Sequence, residues 1–223
     1  MRGKFVVSHK TTIKTLKYSG QQISGAVRWL QPALAIGAVA AAVTTGAWHR
    51  RWESSYEGSR RRGVFDWLCH VGTALAVSLP ILPYVHDRAG FLRVSLLSSV
   101  VLDLDHIFAA RSLRLTDCMS MPHRPGSHSV LAPFVIAGLA ERWKPERHFG
   151  LAALVGLSSH LLRDLGTGGA PLLHPRHIIT VPYRTVVVLL GTLSFVSRYS
   201  TRTAIGGKIL AGRAWHWAAA QRN

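Results

Sequence analysis

Cysteine is nearly absent from this 223-residue sequence, with Cys69 and Cys118 the two present. Two cysteines without CxxC spacing argue against a disulfide framework and against a thiolate-based structural metal site. Acid is scarce as well: ten Asp and Glu face 27 Lys and Arg, and none of the ten precedes Glu53. A chain this basic suits anionic partners, either a membrane surface or nucleic acid. Zinc-finger spacing, a helix-turn-helix signature and an RNA-recognition motif are all missing, which disfavours nucleic acid. No Gly-x-Ser-x-Gly elbow occurs, so a covalent serine mechanism is disfavoured too. Internal repeats and alternating strand patterns are also lacking, and the reading is all-α.

What the sequence does contain is apolar residues, 48% of the chain, diluted by basic segments to a mean hydropathy of +0.18. Residues 1–32 are basic and polar, and Lys10, Lys14 and Lys17 would share one helical face. That face reads equally as a solvated surface or as a segment lying on anionic lipid, and the acid-poor composition also resembles a transit peptide. Residues 33–48 are uncharged and flanked by Arg28 on one side and His49, Arg50 and Arg51 on the other. A spanning helix needs roughly 20 apolar residues, so this run is short but extendable by Trp29, Leu30 and Trp48. Residues 49–63 read as a polar linker and a boundary. Beyond it lie apolar stretches at 64–83, 91–110, 129–140, 148–164 and 185–197, punctuated by prolines. The expected organisation has three parts. An N-terminal extension (1–63) carries one membrane helix, a helical membrane metal-binding domain covers 64–197, and a basic tail covers 198–223. The expected fold is a polytopic helical membrane protein with several short or re-entrant apolar helices.

Two of only six aspartates fall in Asp103-Leu104-Asp105-His106, at the end of an apolar stretch. Charged groups there are costly unless paired or bound to a cation, and a divalent ion would hold both carboxylates ionised. Taken alone, an exposed helix end explains the tetrapeptide equally well. His123 and His128 lie in a Pro- and Gly-shaped loop on either side of Arg124, whose fixed fork suits phosphate or carboxylate oxygens. A solvated basic loop is the bland alternative. His160 and Asp164 sit four apart on one helical face and can converge on one ion or simply hydrogen-bond each other. Asp66 and His70 repeat that spacing. Together the clusters make His70, Asp103, Asp105, His106, His123, His128, His160 and Asp164 the candidate metal ligands. Nitrogen and oxygen donors without sulfur suit zinc, with manganese or iron as alternatives. The ligand surplus points to two or more divalent ions.

The ordered series His70, then Asp103-Leu104-Asp105-His106, then His123-Arg124 with Ser127-His128-Ser129, then His160 with Asp164 and Thr167, then Gly169 to Pro175, resembles the YdjM-like family. The resemblance covers about residues 64–184. It implies a bacterial or archaeal inner (plasma) membrane protein that acts as a metal-dependent hydrolase, and at fold level a distant likeness to all-helical zinc phosphoesterases. Leu102 replaces the family's Pro, Ser127 its Thr, and Pro125-Gly126 a Gly and usually an aromatic, so ligand positions persist while loop shape differs. The expected mechanism is metal-activated water, with Asp105 bridging or orienting that water and Arg124 holding the substrate anion. The expected substrate is a small-molecule or lipid phosphoester, and the expected partners are membrane lipid and an anionic membrane surface. A non-catalytic membrane protein whose ions only staple short helices is the alternative.

Overall fold

The computed structural model describes residues 9–119, 121, 124–143, 148–171 and 177–220, with side chains from 30 to 203 apart from Met119. Eight helices follow in order among them: α1 (His9–Glu53), α2 (Arg60–Ser78), α3 (Arg88–Val101), α4 (Asp105–Ala110), α5 (Leu115–Met119), α6 (Leu131–Trp143), α7 (Phe149–Thr167) and α8 (Tyr183–Ala220). Among the described residues the one sheet is a two-residue antiparallel pair, β1 (Ala170–Pro171) with β2 (Ile178–Ile179). The mostly helical class therefore agrees with the sequence.

Local chemistry explains where the helices start and stop. The Ser59 hydroxyl accepts from the Arg62 amide at 3.2 Å, capping α2. Asp87 caps α3 through the Gly90 amide at 2.8 Å. Gly169 ends α7 with φ +84° and donates its amide to the Asp164 carbonyl at 2.7 Å. A side chain there would be strained and would collide with Ile178, so this glycine lets the chain fold straight back from the end of α7.

Helix α7 is the centre of the molecule and packs against α2, α3, α6 and α8. It is buried on several faces, from Ala152, Val155 and Leu157 to His160, Arg163 and Asp164. One apolar cluster joins Val77, Ile81, Phe91 and Val155, and a second joins Leu102, Ala153, Leu157 and Leu161 beside the polar residues of α7. Small residues bring the backbones close. A Cβ on Gly156 would stand 2.2 Å from the Ser95 carbonyl oxygen, so α7 and α3 touch backbone to backbone there. Gly156→Ala is expected to force this crossing apart and to cost about 1–3 kcal/mol, the range for overpacking. It should also reduce metal retention, because α3 leads into Asp103 and α7 carries His160. Unfolding midpoint and metal content of the purified variant check both effects.

The structure departs from the sequence reading in two places. The helix expected over 33–48 is part of the much longer α1, and the segment read as linker is helical through Glu53. The side chains of Lys10, Lys14 and Lys17 lie outside the described ones. Of the described helices, only Leu30–Glu53 is long and apolar enough by itself to cross a membrane, so a polytopic arrangement is not established by length and composition. Apolar side chains nevertheless face outward on several helices, including Val43 at 67% exposure, Phe134 at 62% and Phe195 at 69%. Exposed apolar surface on this scale marks a membrane or partner contact.

Candidate metal centre

The site gathers side chains from four segments separated in sequence. Helix α2 supplies His70. The 3-10 turn Leu102–Leu104 and the start of α4 supply Asp103, Asp105 and His106. The 3-10 turn Gly126–His128 supplies His128, and α7 supplies His160 and Asp164. A change from α to 3-10 winding after Val101 separates Asp103 from the straight path of α3 while Leu102 is buried in the apolar cluster. His70, His128 and His160 are all at most 1% exposed.

Three overlapping groups of ligand atoms form: His70 with His160 and Asp164; Asp103 with His128 and His160; Asp105 with His106 and His128. His160 Nε2 lies 3.3 Å from Asp164 Oδ2 and 3.6 Å from Asp103 Oδ1. His70 Nε2 is 3.6 Å from Asp164 Oδ1, and the rings of His70 and His160 stack at 3.9 Å. His128 turns one nitrogen to each side. Its Nε2 is 3.7 Å from Asp164 Oδ2, and its Nδ1 is 3.3 Å from Asp105 Oδ2. His106 Nδ1 stands 3.1 Å from Asp105 Oδ1.

These separations fit a metal. Two donors each about 2.0–2.2 Å from one ion at a tetrahedral angle are roughly 3.3–3.6 Å apart, longer than a normal hydrogen bond. The buried atoms His70 Nδ1, Asp105 Oδ1, His106 Nδ1, His128 Nδ1 and Asp164 Oδ2 make no well-aligned hydrogen bond, close as several of them lie to one another. Unpartnered buried polar atoms are costly, and a cation would satisfy the acceptors among them. By contrast, His160 Nδ1 donates to the Ser99 carbonyl at 2.7 Å. That bond orients the ring and fixes the tautomer, leaving Nε2 as the lone-pair donor toward Asp103 and Asp164.

Electrostatics favour ionised carboxylates in the turns. Burial alone would raise Asp103, but the neighbouring His160 and His128 outweigh it and hold the carboxyl below the usual range. Asp105 is likewise pushed up by burial and pulled lower overall by contacts with His106 and His128. Burial lowers His128, yet Asp103 and Asp105 win and raise it. The Ser127 hydroxyl donates to Asp105 Oδ2, so the serine standing where a threonine was anticipated keeps the hydroxyl function.

An open cleft of about 330 Å³ gives access to this centre. Asp103, His106, Arg124 and Asp164 line it together with Trp52 and Arg62. Arg124 Nη1 lies 3.3 Å from His106 Nε2 and 3.8 Å from Asp164 Oδ2. Its guanidinium rests over Gly168, where an added Cβ would come within 2.3 Å of Nη2.

Seven of the eight proposed ligands thus converge, and the eighth, His123, lies outside the described residues. Of the two aspartates in the Asp103–Asp105 segment, Asp103 is the one that faces both His128 and His160, as Asp164 does from α7. Asp105 sits with His106 and His128 instead and is not among the residues lining the cleft. Asp66, four residues from His70, does not join the ligands; it pairs with Arg163 at 2.6 Å. Sequence reasoning missed that buried arginine. The signal was a lone cation inside an apolar helix, directly before Asp164, and such a charge requires a partner. Arg163 Nη1 also lies 3.3 Å from His70 Nε2, and the guanidinium lies 5.6 Å from the Trp52 ring.

The sequence profile of a family described as YdjM inner membrane protein matches residues 65–220. Comparison with curated proteins and with solved structures finds no match.

Proposed function

The chain belongs to the YdjM family of inner membrane proteins, and from that premise we propose that it is a membrane-bound metal-dependent hydrolase acting on a phosphoester or lipid-linked substrate. The observation that carries this reading is Arg124, a guanidinium placed beside buried His and Asp ligands in an open cleft. A purely structural centre needs ligands but has no use for an anion clamp at its mouth.

His70, His160 and Asp164, joined by Asp103 and His128, would hold one divalent ion, and Asp105, His106 and His128 a second. Zinc is the proposed metal, with manganese or iron compatible with the same donors. Such an ion supplies Lewis acidity and lowers the pKa of water toward about 7. The protein's own contribution is positional. Ser99 fixes the His160 tautomer, Ser127 orients Asp105, and Asp105 in turn orients His106 and His128. Asp103 and Asp164, which line the cleft, are the carboxylates placed to orient attacking water. Arg124 binds the substrate anion and stabilises charge as it develops. Membrane lipid surrounds the apolar faces, and we place α2, α7 and α8 within the bilayer beside the Leu30–Glu53 span.

Elemental analysis of detergent-purified protein, paired with turnover on a panel of phosphoesters, tests the assignment. Stoichiometric metal and metal-dependent turnover are expected. Chelator-sensitive stability with no turnover on any ester would favour the stapling role instead. Arg124→Ala is expected to lower kcat/KM by about 100- to 1,000-fold, the loss seen when one transition-state donor is removed, while metal content stays constant. Gly168→Ala should reproduce part of that loss by displacing the guanidinium tip, with little change in unfolding midpoint, because the tip is flexible. Loss of metal in either variant would place Arg124 in the structure of the centre and remove it from substrate binding.

A further inference from the structure

An apolar groove of about 540 Å³ lies between α1, α2 and α8, apart from the metal cleft. Its walls include Ala42 and Gly46 of α1, Ala76 and Val77 of α2, and Leu190 and Gly191 of α8. Small residues create the space: nothing lies within 4 Å of a Cβ added at Gly46 or at Gly191. Polar groups occur mainly toward the ends, with Tyr183 and Thr45 at one and Arg198 at the other.

The bounding helix α1 contains the candidate span, and its polar flanks set a depth scale. Gln31 donates to the Tyr84 hydroxyl at 2.9 Å, and Arg198 approaches the same hydroxyl at 3.5 Å, forming one polar level. His49, Arg50, Arg51 and Trp52 form the other. The helical rise of 1.5 Å per residue puts Gln31 and Arg50 about 28 Å apart, close to the hydrocarbon thickness of about 30 Å. The groove therefore lies at hydrocarbon depth. The metal cleft, which Trp52 lines, lies at one interface.

Groove and cleft are neighbours across a stack of three rings. Tyr183 lines the groove, Trp52 lines the cleft, and the buried His49 stacks against both, at 4.1 Å and 5.6 Å between centroids. From Tyr183 to Ser194 the groove follows α8 for about 16 Å, close to one leaflet of hydrocarbon.

We infer that this groove is the acyl-chain subsite of the enzyme, so that the substrate class is a phospholipid-type amphiphile with its phosphate at the metal cleft and one chain along α8. This rests on the hydrolase reading above for the role of the chain as substrate, whereas occupancy of the groove can be tested without turnover. Depth, length and apolar lining all select a lipid chain over a soluble ligand.

The test is photo-crosslinking of the full-length protein in nanodiscs, using phosphatidic acid with a diazirine in the acyl chain, followed by peptide mapping. Label should concentrate on peptides covering 38–46 and 187–195, over those from the outward face of α6 at Phe134 and Leu139. Unlabelled long-chain phosphatidic acid should compete, and the dihexanoyl form should not. Gly46→Leu with Gly191→Leu should reduce groove label at least fivefold and leave α6 label and metal content unchanged. On the activity side, this variant should raise KM for long-chain esters at least fivefold and spare kcat on a short soluble ester. Even labelling of all exposed faces, or no competition by long chains, overturns the subsite whatever the variants do. Competed groove label on a metal-loaded protein with no turnover overturns the hydrolase reading and leaves a lipid-binding groove.

Discussion

His160→Ala should empty the ion site built on His70, His160 and Asp164, leaving about half of the wild-type metal or less, and should sharply reduce the effect of chelator on stability. His160 belongs to two of the three ligand groups, and its Nε2 faces both Asp103 and Asp164. No neighbour can take its place, because Ser99 and the stacked His70 ring hold the surrounding geometry rigid. Loss of an outer hydrogen-bond partner typically costs 10- to 100-fold in metal affinity, and loss of a central ligand should exceed that. The variant should also lose stability, because Asp103 and Asp164 would keep only the more distant His128 imidazole, at 3.9 and 3.7 Å, to offset their mutual repulsion. Chelator titration monitored by thermal unfolding, run on both proteins, separates the two effects. Wild type should drop on chelation to or below the midpoint of His160→Ala, and the variant should move much less. Full metal content in His160→Ala would show that the ion sits elsewhere.

Much of this centre was legible because its chemistry is unusual for its surroundings. Paired aspartates at the end of an apolar stretch, and a His with an Asp at i, i+4 in another, stand out against a chain with six aspartates. What could not be read was which faces meet. Spacing of i, i+4 puts Asp66 and His70 on one side of α2, yet one turn along the helix is enough to change the partner from Asp164 to Arg163. Nor did spacing distinguish Asp103 from Asp105. That choice follows from the 3-10 turn, which no local pattern announced. The segment 49–63 read as one linker because it is polar, but only residues 54–59 lie between helices, with α1 running to Glu53 and α2 starting at Arg60. Tertiary contacts reinforce the helix: His49 stacks on Tyr183, and Trp52 lies under the Arg62 guanidinium at 4.3 Å. The N-terminal extension thereby becomes a wall of the cleft, although the family match begins only at residue 65.

That wall and the metal centre meet at Arg163, and the meeting gives the second large effect. Arg163→Met should destabilise the protein by about 3 kcal/mol, the lower end of the cost of removing one partner from a buried ion pair. The lower end applies because the Asp66 side chain keeps 27% exposure while Arg163 is almost fully enclosed. The loss comes mainly from Asp66, left without its cation in the wall of the cleft that Asp103 and Asp164 also line. Asp66→Asn strands the arginine instead and should cost as much or more, since a guanidinium cannot shed its charge. Removing both charges in Arg163→Met with Asp66→Leu should recover most of the stability, because two buried charges exchanged for packed apolar groups are often neutral or better. Metal binding should not recover in parallel. Arg163 contacts His70 Nε2 and the Trp52 ring as well as Asp66, so the double variant still lacks what positions His70 and the cleft wall. A double-mutant cycle read in both unfolding free energy and metal affinity tests this separation. Strong coupling in stability with persistent weakening of metal binding is the expected pattern. Full recovery of both would reduce Arg163 to a counter-ion for Asp66, with no part in setting the His70 ligand.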